Sequence, residues 1–314
     1  MDFELSADQA ALADGLRRFL DGRFPMAVVR ELEASGGADP ARWRELGDAG
    51  VFGLPVPGAQ GGVGLGWADA VIAFEQLGHR LVPGPLVGTA LAAGVVEHAV
   101  SGGCAAGVVE RSAPPVLVEW PAVIDTLVVV DDRGLWRVDP GALDLVAVPP
   151  LDPLTPVARE GEQIGDADDA RAWRLRGAVL TGALQLGVAA GACDLAVAYA
   201  KQRQQFGRPI GAFQAVKHLC ADMASRVEVT RAIVYFAGAC LDDPEAGDPA
   251  RAASAARVLA TVASGDNARD CVQVHGGMGF TWEVDAHLYA KRAYVLASAF
   301  GTLDEHEEAI AALL

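Results

Sequence analysis

The chain has 314 residues, 52% of them hydrophobic and 21% charged, enough to bury a large core in one to three domains. A formal net charge of −16 argues against nucleic-acid phosphate or an anionic membrane surface as a partner, while leaving room for a local basic patch that holds a phosphorylated cofactor. Cys104, Cys193, Cys220, Cys240 and Cys271 form no CxxC pair and suggest neither a disulfide framework nor a zinc site. The start, Met1-Asp2-Phe3-Glu4-Leu5, lacks the basic region and apolar run of a signal peptide. The nearest approach to a membrane span, Ala178–Cys193, is short and rich in Gly and Ala, so a cytoplasmic location is expected.

In chain order, Ser6 can cap a helix whose apolar stripe is Leu12, Leu16, Phe19 and Leu20. Trp43 and Leu46 make a second stripe that ends at the glycine stop Gly50. Pro55–Gly66 reads as a loop, and a helix from near Trp67 carries Val71, Phe74, Glu75 and Leu77 to Gly78. The pattern is helical to about Glu110. From about Pro114 to Glu160 it changes to strands: Val116-Leu117-Val118, Thr126–Val130 and Leu143–Val148, with a hairpin turn at Asp131–Gly134 before Trp136. From about Arg171 long helices return. Val216, Leu219, Met223, Val227, Thr230 and Val234 form a near-heptad stripe suited to a bundle, and Leu241–Pro249 is a polar break. The expected class is α+β, with a helical region 1–110, a small β region 111–170 and a helical bundle 171–314.

Two segments carry residues suited to a nucleotide. Arg203 and Phe206 are predicted at a helix end, one turn apart, before the Gly207–Gly211 turn. A guanidinium can hydrogen-bond a pyrophosphate through two donors while an aromatic ring packs on the nucleotide. The alternative is an arginine that offsets a helix dipole and a phenylalanine that closes the core. In Gln273-Val274-His275-Gly276-Gly277-Met278-Gly279, three glycines permit close backbone approach and Gln273 can both donate and accept. Glycines that merely end a helix are the alternative there, and His275 reads as a structural residue of the turn.

Gln202–Ile210, with Gln214 eleven residues after Arg203, and Gln273–Gly279 resemble the flavin-binding signatures of the acyl-CoA dehydrogenase family. The similarity extends over most of the chain, including Asp2–Leu5 and Glu45-Leu46-Gly47 through Gly61-Gly62-Val63-Gly64, and the order of helices, small β region and bundle is the family's. It implies FAD as cofactor. Arg203, Phe206, Gln214, Gln273, Val274, His275, Gly276 and Gly277 would reach across a dimer interface to FAD held mainly by the neighbouring subunit, and Thr302 would touch the chain's own FAD.

Phe300-Gly301-Thr302 is similar to the family's Glu-Gly-Thr, whose Glu removes the substrate α-proton, but here the frame lacks the acid. The family's second location for that base falls near Gly177, again without a carboxylate. Asp304 and Glu305 are displaced by a helical turn or more and, with Glu307 and Glu308, read as a solvated acidic patch. The family's middle-region segments that hold the flavin ring and pyrophosphate are absent between Gly102 and Gly177, and its substrate arginine would fall near Ala178. The resemblance therefore implies a short, actinobacterial-type, non-catalytic or half-site subunit of a heteromeric (α2β2) acyl-CoA dehydrogenase, with no catalytic residue of its own. Its partner would be a second acyl-CoA dehydrogenase subunit carrying the catalytic Glu. The complex would act on an acyl-CoA, expected to be a steroid-derived CoA ester, and pass electrons to electron-transfer flavoprotein. Two other readings stand beside it: an autonomous dehydrogenase with a relocated base at Asp304, Glu305 or Glu75, and a flavin-free structural or acyl-CoA-binding protein.

Overall fold

The structure, a computed structural model, describes residues 4–34, 39–110, 118–143, 162–243 and 245–313. Helix α1 (Ala7–Arg23) begins at Ser6, whose hydroxyl accepts from Gln9 N while the Gln9 side chain accepts from Ser6 N, a capping box that satisfies two otherwise orphaned donors. Helix α2 (Met26–Ala34) follows. Helix α3 (Pro40–Asp48) is capped by Asp39, has Pro at its first position and buries Trp43 and Leu46. Gly50, at φ +78°, supplies the expected stop. Helices α4 (Trp67–His79) and α5 (Leu86–Ala92) complete this stretch.

A four-stranded sheet comes next, in the order β1 (Ala106–Glu110), β2 (Thr126–Asp131), β3 (Gly134–Val138) and β4 (Glu162–Gly165). All six residues of β2 are buried, as suits a central strand. The β2–β3 turn is the one expected: Asp131 faces Gly134, and its carboxylate accepts from Arg133 N (2.8 Å), Gly134 N (3.2 Å) and Trp136 Nε1 (3.1 Å). Burial pulls the Asp131 carboxyl upward, but the hydrogen bonds from Trp136 and Arg133 outweigh it and hold the group below the usual carboxylate range. β1 corrects the sequence reading, which left this stretch helical. Its five residues pair in parallel with β2 across a long connection, a non-local interaction that no short window encodes. Apart from Val118 and Leu143, the strands expected at Val116–Val118 and Leu143–Val148 lie outside the described residues.

The long helices are α6 (Ala167–Gln202), α7 (Gln214–Asp242) and α8 (Pro249–His275), followed by α9 (Ala286–Leu296) and α10 (Leu303–Ala311). Contacts divide the chain into two compact units. One comprises Met1–Ala27, Val71–Val82 and Ala178–Leu314, the other Val28–Ala70 and Pro83–Gly177. In the first, α6 is long and apolar enough by composition to cross a membrane, yet 83% of its most apolar window is buried, as in a core helix. Its glycines have a packing reason. A Cβ added to Gly187 would lie 2.1 Å from the Glu75 carbonyl oxygen, and one added to Gly78 would lie 2.1 Å from that of Leu184, so the α4 and α6 backbones touch. α7 and α8 run antiparallel, joined by Arg226 Nη1 to Asn267 Oδ1 (3.0 Å) and Asp270 Oδ2 (2.7 Å), and Met223, Val227, Thr230 and Val234 of the expected stripe are buried. Tyr289 of α9 lies against Gly191 of α6, which makes α9 the fourth bundle helix.

Glu75, 4% exposed, ties α4 to α7. Its Oε1 accepts from Arg231 Nε (3.1 Å) and Nη2 (2.8 Å), and its Oε2 from the Tyr235 hydroxyl (2.5 Å). Burial and the adjacent carboxylate push the Tyr235 hydroxyl well above its ordinary range. Truncating Glu75 would strip Arg231 of its buried partner, leaving it only the exposed Glu228, and would leave the Tyr235 hydroxyl without its acceptor. Glu75→Ala is therefore expected to destabilise the lone chain by about 2–3 kcal/mol in chemical denaturation, and Glu75→Gln by less, since Tyr235 keeps an acceptor.

Candidate functional site

Arg203 and Phe206 do not share a helix end, and the one-turn spacing predicted for them is corrected. α6 stops at Gln202, and the chain enters a small hairpin of β5 (Gln204–Gln205) and β6 (Arg208–Pro209) with Phe206-Gly207 at its apex. Both apex residues have positive φ, +51° and +77°, as a type I′ turn requires. Glycine adopts this freely; for phenylalanine it is strained by about 1–2 kcal/mol. The Phe206 ring is nonetheless 91% exposed. It meets Phe213 edge-on at 6.1 Å, and the Arg208 guanidinium lies 4.2 Å from the same Phe213 ring. Arg203 is exposed beside the hairpin, its amide bonded to Tyr199 O and its carbonyl accepting from Ile210 N, each at 2.8 Å. Gln214 is the exposed first residue of α7, a helix that starts without a side-chain cap.

The second motif ends α8. Gln273 is exposed, while the side chains of Val274 and His275 are buried, so contacts from those two to a ligand would run through backbone. His275 Nδ1 bonds to Cys271 O (2.8 Å), and its ring stacks on Tyr199 with centroids 4.1 Å apart. Gly276 has φ +61°, and a Cβ placed on Gly276 or Gly277 would meet nothing within 4 Å. These glycines are not packed against the protein, and their bare backbone faces open space. Tyr199 lies one turn before Arg203, so the Tyr199–His275 stack brings both motifs to one end of the bundle.

Phe300 and Thr302 sit elsewhere. Their turn is held by His306 of α10 and by Arg257 from the first half of α8, and Arg257 and His275 are eighteen residues, or about 27 Å of helix, apart. Phe300 (φ +53°) and Gly301 (φ +97°) both occupy the left-handed region. Thr302 caps α10 in a second capping box. Its Oγ1 accepts from Glu305 N (3.3 Å), and Glu305 Oε2 accepts from Thr302 N (2.7 Å) and Oγ1 (3.0 Å). Those bonds to Thr302 hold the Glu305 carboxyl below its ordinary range, the wrong direction for a base that must take a proton near neutrality. Asp304, Glu307 and Glu308 are exposed, and both Glu75 oxygens are occupied by Arg231 and Tyr235. Gly177 is buried and has no side chain to offer.

Sequence reasoning missed Tyr199, Phe213, Arg257 and His306. Arg257 left a signal, a single charge amid the small apolar residues Ala255, Ala256, Val258 and Leu259 of α8. Tyr199 acts through a contact with a distant segment, and Phe213 and His306 through turns whose shape depends on tertiary packing.

Residues 6–103 match the acyl-CoA dehydrogenase N-terminal domain and residues 175–314 the acyl-CoA dehydrogenase C-terminal domain. The chain is 35% identical over 294 residues to the acyl-CoA dehydrogenase IpdE2 of Mycolicibacterium smegmatis, covering 88% of this chain and 89% of that protein. It is 33% identical over 348 residues to the acyl-CoA dehydrogenase FadE34 of Mycobacterium tuberculosis, covering 95% of this chain but only 46% of FadE34. Among solved structures, the ChsE4–ChsE5 complex of M. tuberculosis matches at TM-score 0.82 and 23% identity, covering 99% of this chain and 98% of that one. A variant of the Tcur3481–Tcur3483 steroid ACAD matches at TM-score 0.82 and 22% identity (98% and 97% covered), and PigA with FAD and proline at 0.84 and 20% (100% and 99% covered). At these identities the solved structures speak to the fold alone.

The strained, exposed Phe206 gives a direct test. In Phe206→Gly the turn is relaxed and little buried area is lost. The lone chain is expected to be at least as stable as the parent, by up to about 1 kcal/mol in chemical denaturation.

Proposed function

The chain belongs to the acyl-CoA dehydrogenase family, and on that footing we propose that it is the non-catalytic, half-site subunit of a heteromeric, cytoplasmic FAD-dependent acyl-CoA dehydrogenase. The separation along α8 carries this reading. Arg203, Phe206, Gln214 and the Gln273–Gly277 backbone lie toward one end of the helix, and the Phe300–Thr302 turn packs on Arg257, about 27 Å of helix from His275. The first group would serve the partner's FAD, and Thr302 would face a flavin from the other side.

The residues fit the group they would hold. Arg203 offers a guanidinium to a pyrophosphate, Gln214 and Gln273 offer amides, Gly276 and Gly277 leave backbone open to close approach, and Phe206 presents a ring face. Bound FAD supplies the acceptor for the substrate's β-hydride. Removal of the α-proton needs a carboxylate near the substrate. At the family position this chain has Phe300, at the second location Gly177, and the nearby acids are solvated or committed to other bonds. The proton would therefore leave through the partner subunit's Glu, and electrons would pass from the complex to electron-transfer flavoprotein.

The relatives fit a two-subunit arrangement. FadE34 is about twice the length of the segment matched, room for a second unit of similar size in one polypeptide, and ChsE4–ChsE5 is a complex of two named chains. The steroid ACAD match motivates a bulky, steroid-derived CoA ester as the substrate. The flavin-free alternative leaves the strained and exposed Phe206 without a reason.

Purifying the chain alone and with a co-expressed acyl-CoA dehydrogenase partner tests the proposal. The lone chain is expected to hold little flavin, and the complex about one FAD per heterodimer with dye-linked dehydrogenation of an acyl-CoA. Arg203→Ala is expected to weaken FAD retention in the complex about tenfold or more, the loss of one charge-assisted bidentate contact. Stoichiometric flavin and activity in the lone chain would overturn the half-site assignment.

A further inference from the structure

The turn at Phe300–Thr302 is held in an unfavourable conformation by two basic side chains. Arg257, 1% exposed, lies on α8 with no carboxylate pairing with it among the described residues. Its Nη1 donates to Gln185 Oε1. Its Nη2 lies 3.2 Å from Leu296 O, 2.9 Å from Ala299 O and 3.2 Å from Gly301 O. These carbonyls close the C-terminus of α9 and the turn beyond it, the negative end of a helix dipole, so a cation is compensated there by dipoles instead of an anion. Burial draws the Arg257 guanidinium down to about 10, which still leaves it charged at neutral pH.

His306 of α10 grips the turn from another side. Its Nε2 donates to Phe300 O (2.9 Å), and Nδ1 lies 3.3 Å from the Ser254 hydroxyl. With Nε2 carrying the proton, Nδ1 accepts from Ser254 in the neutral imidazole and would donate to the same hydroxyl in the charged one, so the two forms differ chiefly in the charge set beside Arg257, which holds the adjoining Gly301 carbonyl. A Cβ on Gly301 would come within 2.8 Å of His306 Nε2, and the φ of +97° is one other residues rarely adopt, so both favour glycine there. The groups facing His306 are Ser254 and Arg257 from α8, the Phe300 carbonyl from the turn and Glu305 from α10. Burial first, and then the Arg257 charge, hold the imidazole below its ordinary value, against the smaller upward pulls of Phe300 O and Glu305.

We propose that Arg257 and His306 are positioning residues: together they clamp the carbonyls of Ala299, Phe300 and Gly301, so that Thr302 is presented to flavin, and the clamp is tightest while only Arg257 of the two is charged. The flavin half of this inference rests on the half-site reading; the clamp itself does not. The sign of the pH effect follows from the lowered His306 value. The unfolded chain takes up the proton first, so the stabilisation is complete above about pH 6.5 and is lost as the pH falls below it. Protonation places a second cation beside Arg257, the two gripping adjoining carbonyls of one turn.

Amide exchange across residues 296–303 of the lone chain, corrected for intrinsic rates, tests the clamp between pH 8 and pH 5. Protection is expected to fall about tenfold at the acidic end in the parent and to stay level in His306→Gln, which keeps a donor and cannot become charged. Arg257→Lys, which places fewer donors, is expected to lose protection at both pH values. In the complex, release of FAD followed by its fluorescence is expected to quicken with acid in the parent and not in His306→Gln. Equal protection of the parent at both pH values would overturn the clamp. Acid-sensitive protection together with identical FAD release in the parent and His306→Gln would overturn its role in presenting Thr302. If the complex held no flavin at all, the half-site reading would fail while the exchange measurement still decided the clamp.

Discussion

An unbroken helix fixes the distance between the groups at its two ends, and α8 does this for the whole candidate site. Its 27 residues carry Ser254 and Arg257 near the start and Gln273 to His275 at the finish. Whatever binds at the Gln273–Gly277 end is therefore held well away from the Phe300–Thr302 turn of the same chain. No side-chain rotation spans the roughly 27 Å of helix between Arg257 and His275. The bundle makes the spacing rigid, because α7 is bolted to α8 through Arg226, Asn267 and Asp270, and α4 to α7 through Glu75, Arg231 and Tyr235.

Each end of that ruler carries a phenylalanine in the left-handed region, Phe206 at one and Phe300 at the other. They are held differently. Phe206 is exposed and supported from one side by Phe213, so its strain is maintained mainly by the two-residue hairpin. Phe300 is half-buried, and its turn is over-determined by Arg257, His306 and the Thr302–Glu305 capping box. Two of the acids considered as a base are committed to structural bonds. Glu305 is consumed in starting α10, and Glu75 in joining two helices.

Much of the fold was legible because its signals are local. Ser6, Asp39 and Asp131 act within five residues of themselves, and the Met223–Val234 stripe follows helix periodicity. β1 was not legible, since Ala106–Glu110 becomes a strand only by lying parallel to β2. The site was half legible. Arg203, Gln273 and the glycines stood out by residue type and order, but the position of Phe206 at a hairpin apex and the inward turn of Val274 and His275 depend on tertiary packing. Arg257 and His306 were hidden for the same reason, because the carbonyl partner of the one is more than forty residues away and that of the other lies in a strained turn.

The central claim is that this chain completes a flavin site belonging mainly to its partner. A structure of the co-purified complex with FAD tests it most directly. The account predicts the Arg203 guanidinium of this chain within about 3 Å of the pyrophosphate of an FAD whose ring lies in the partner subunit. An FAD whose ring and pyrophosphate are both held within this chain, with Phe300 beside the ring, would contradict it.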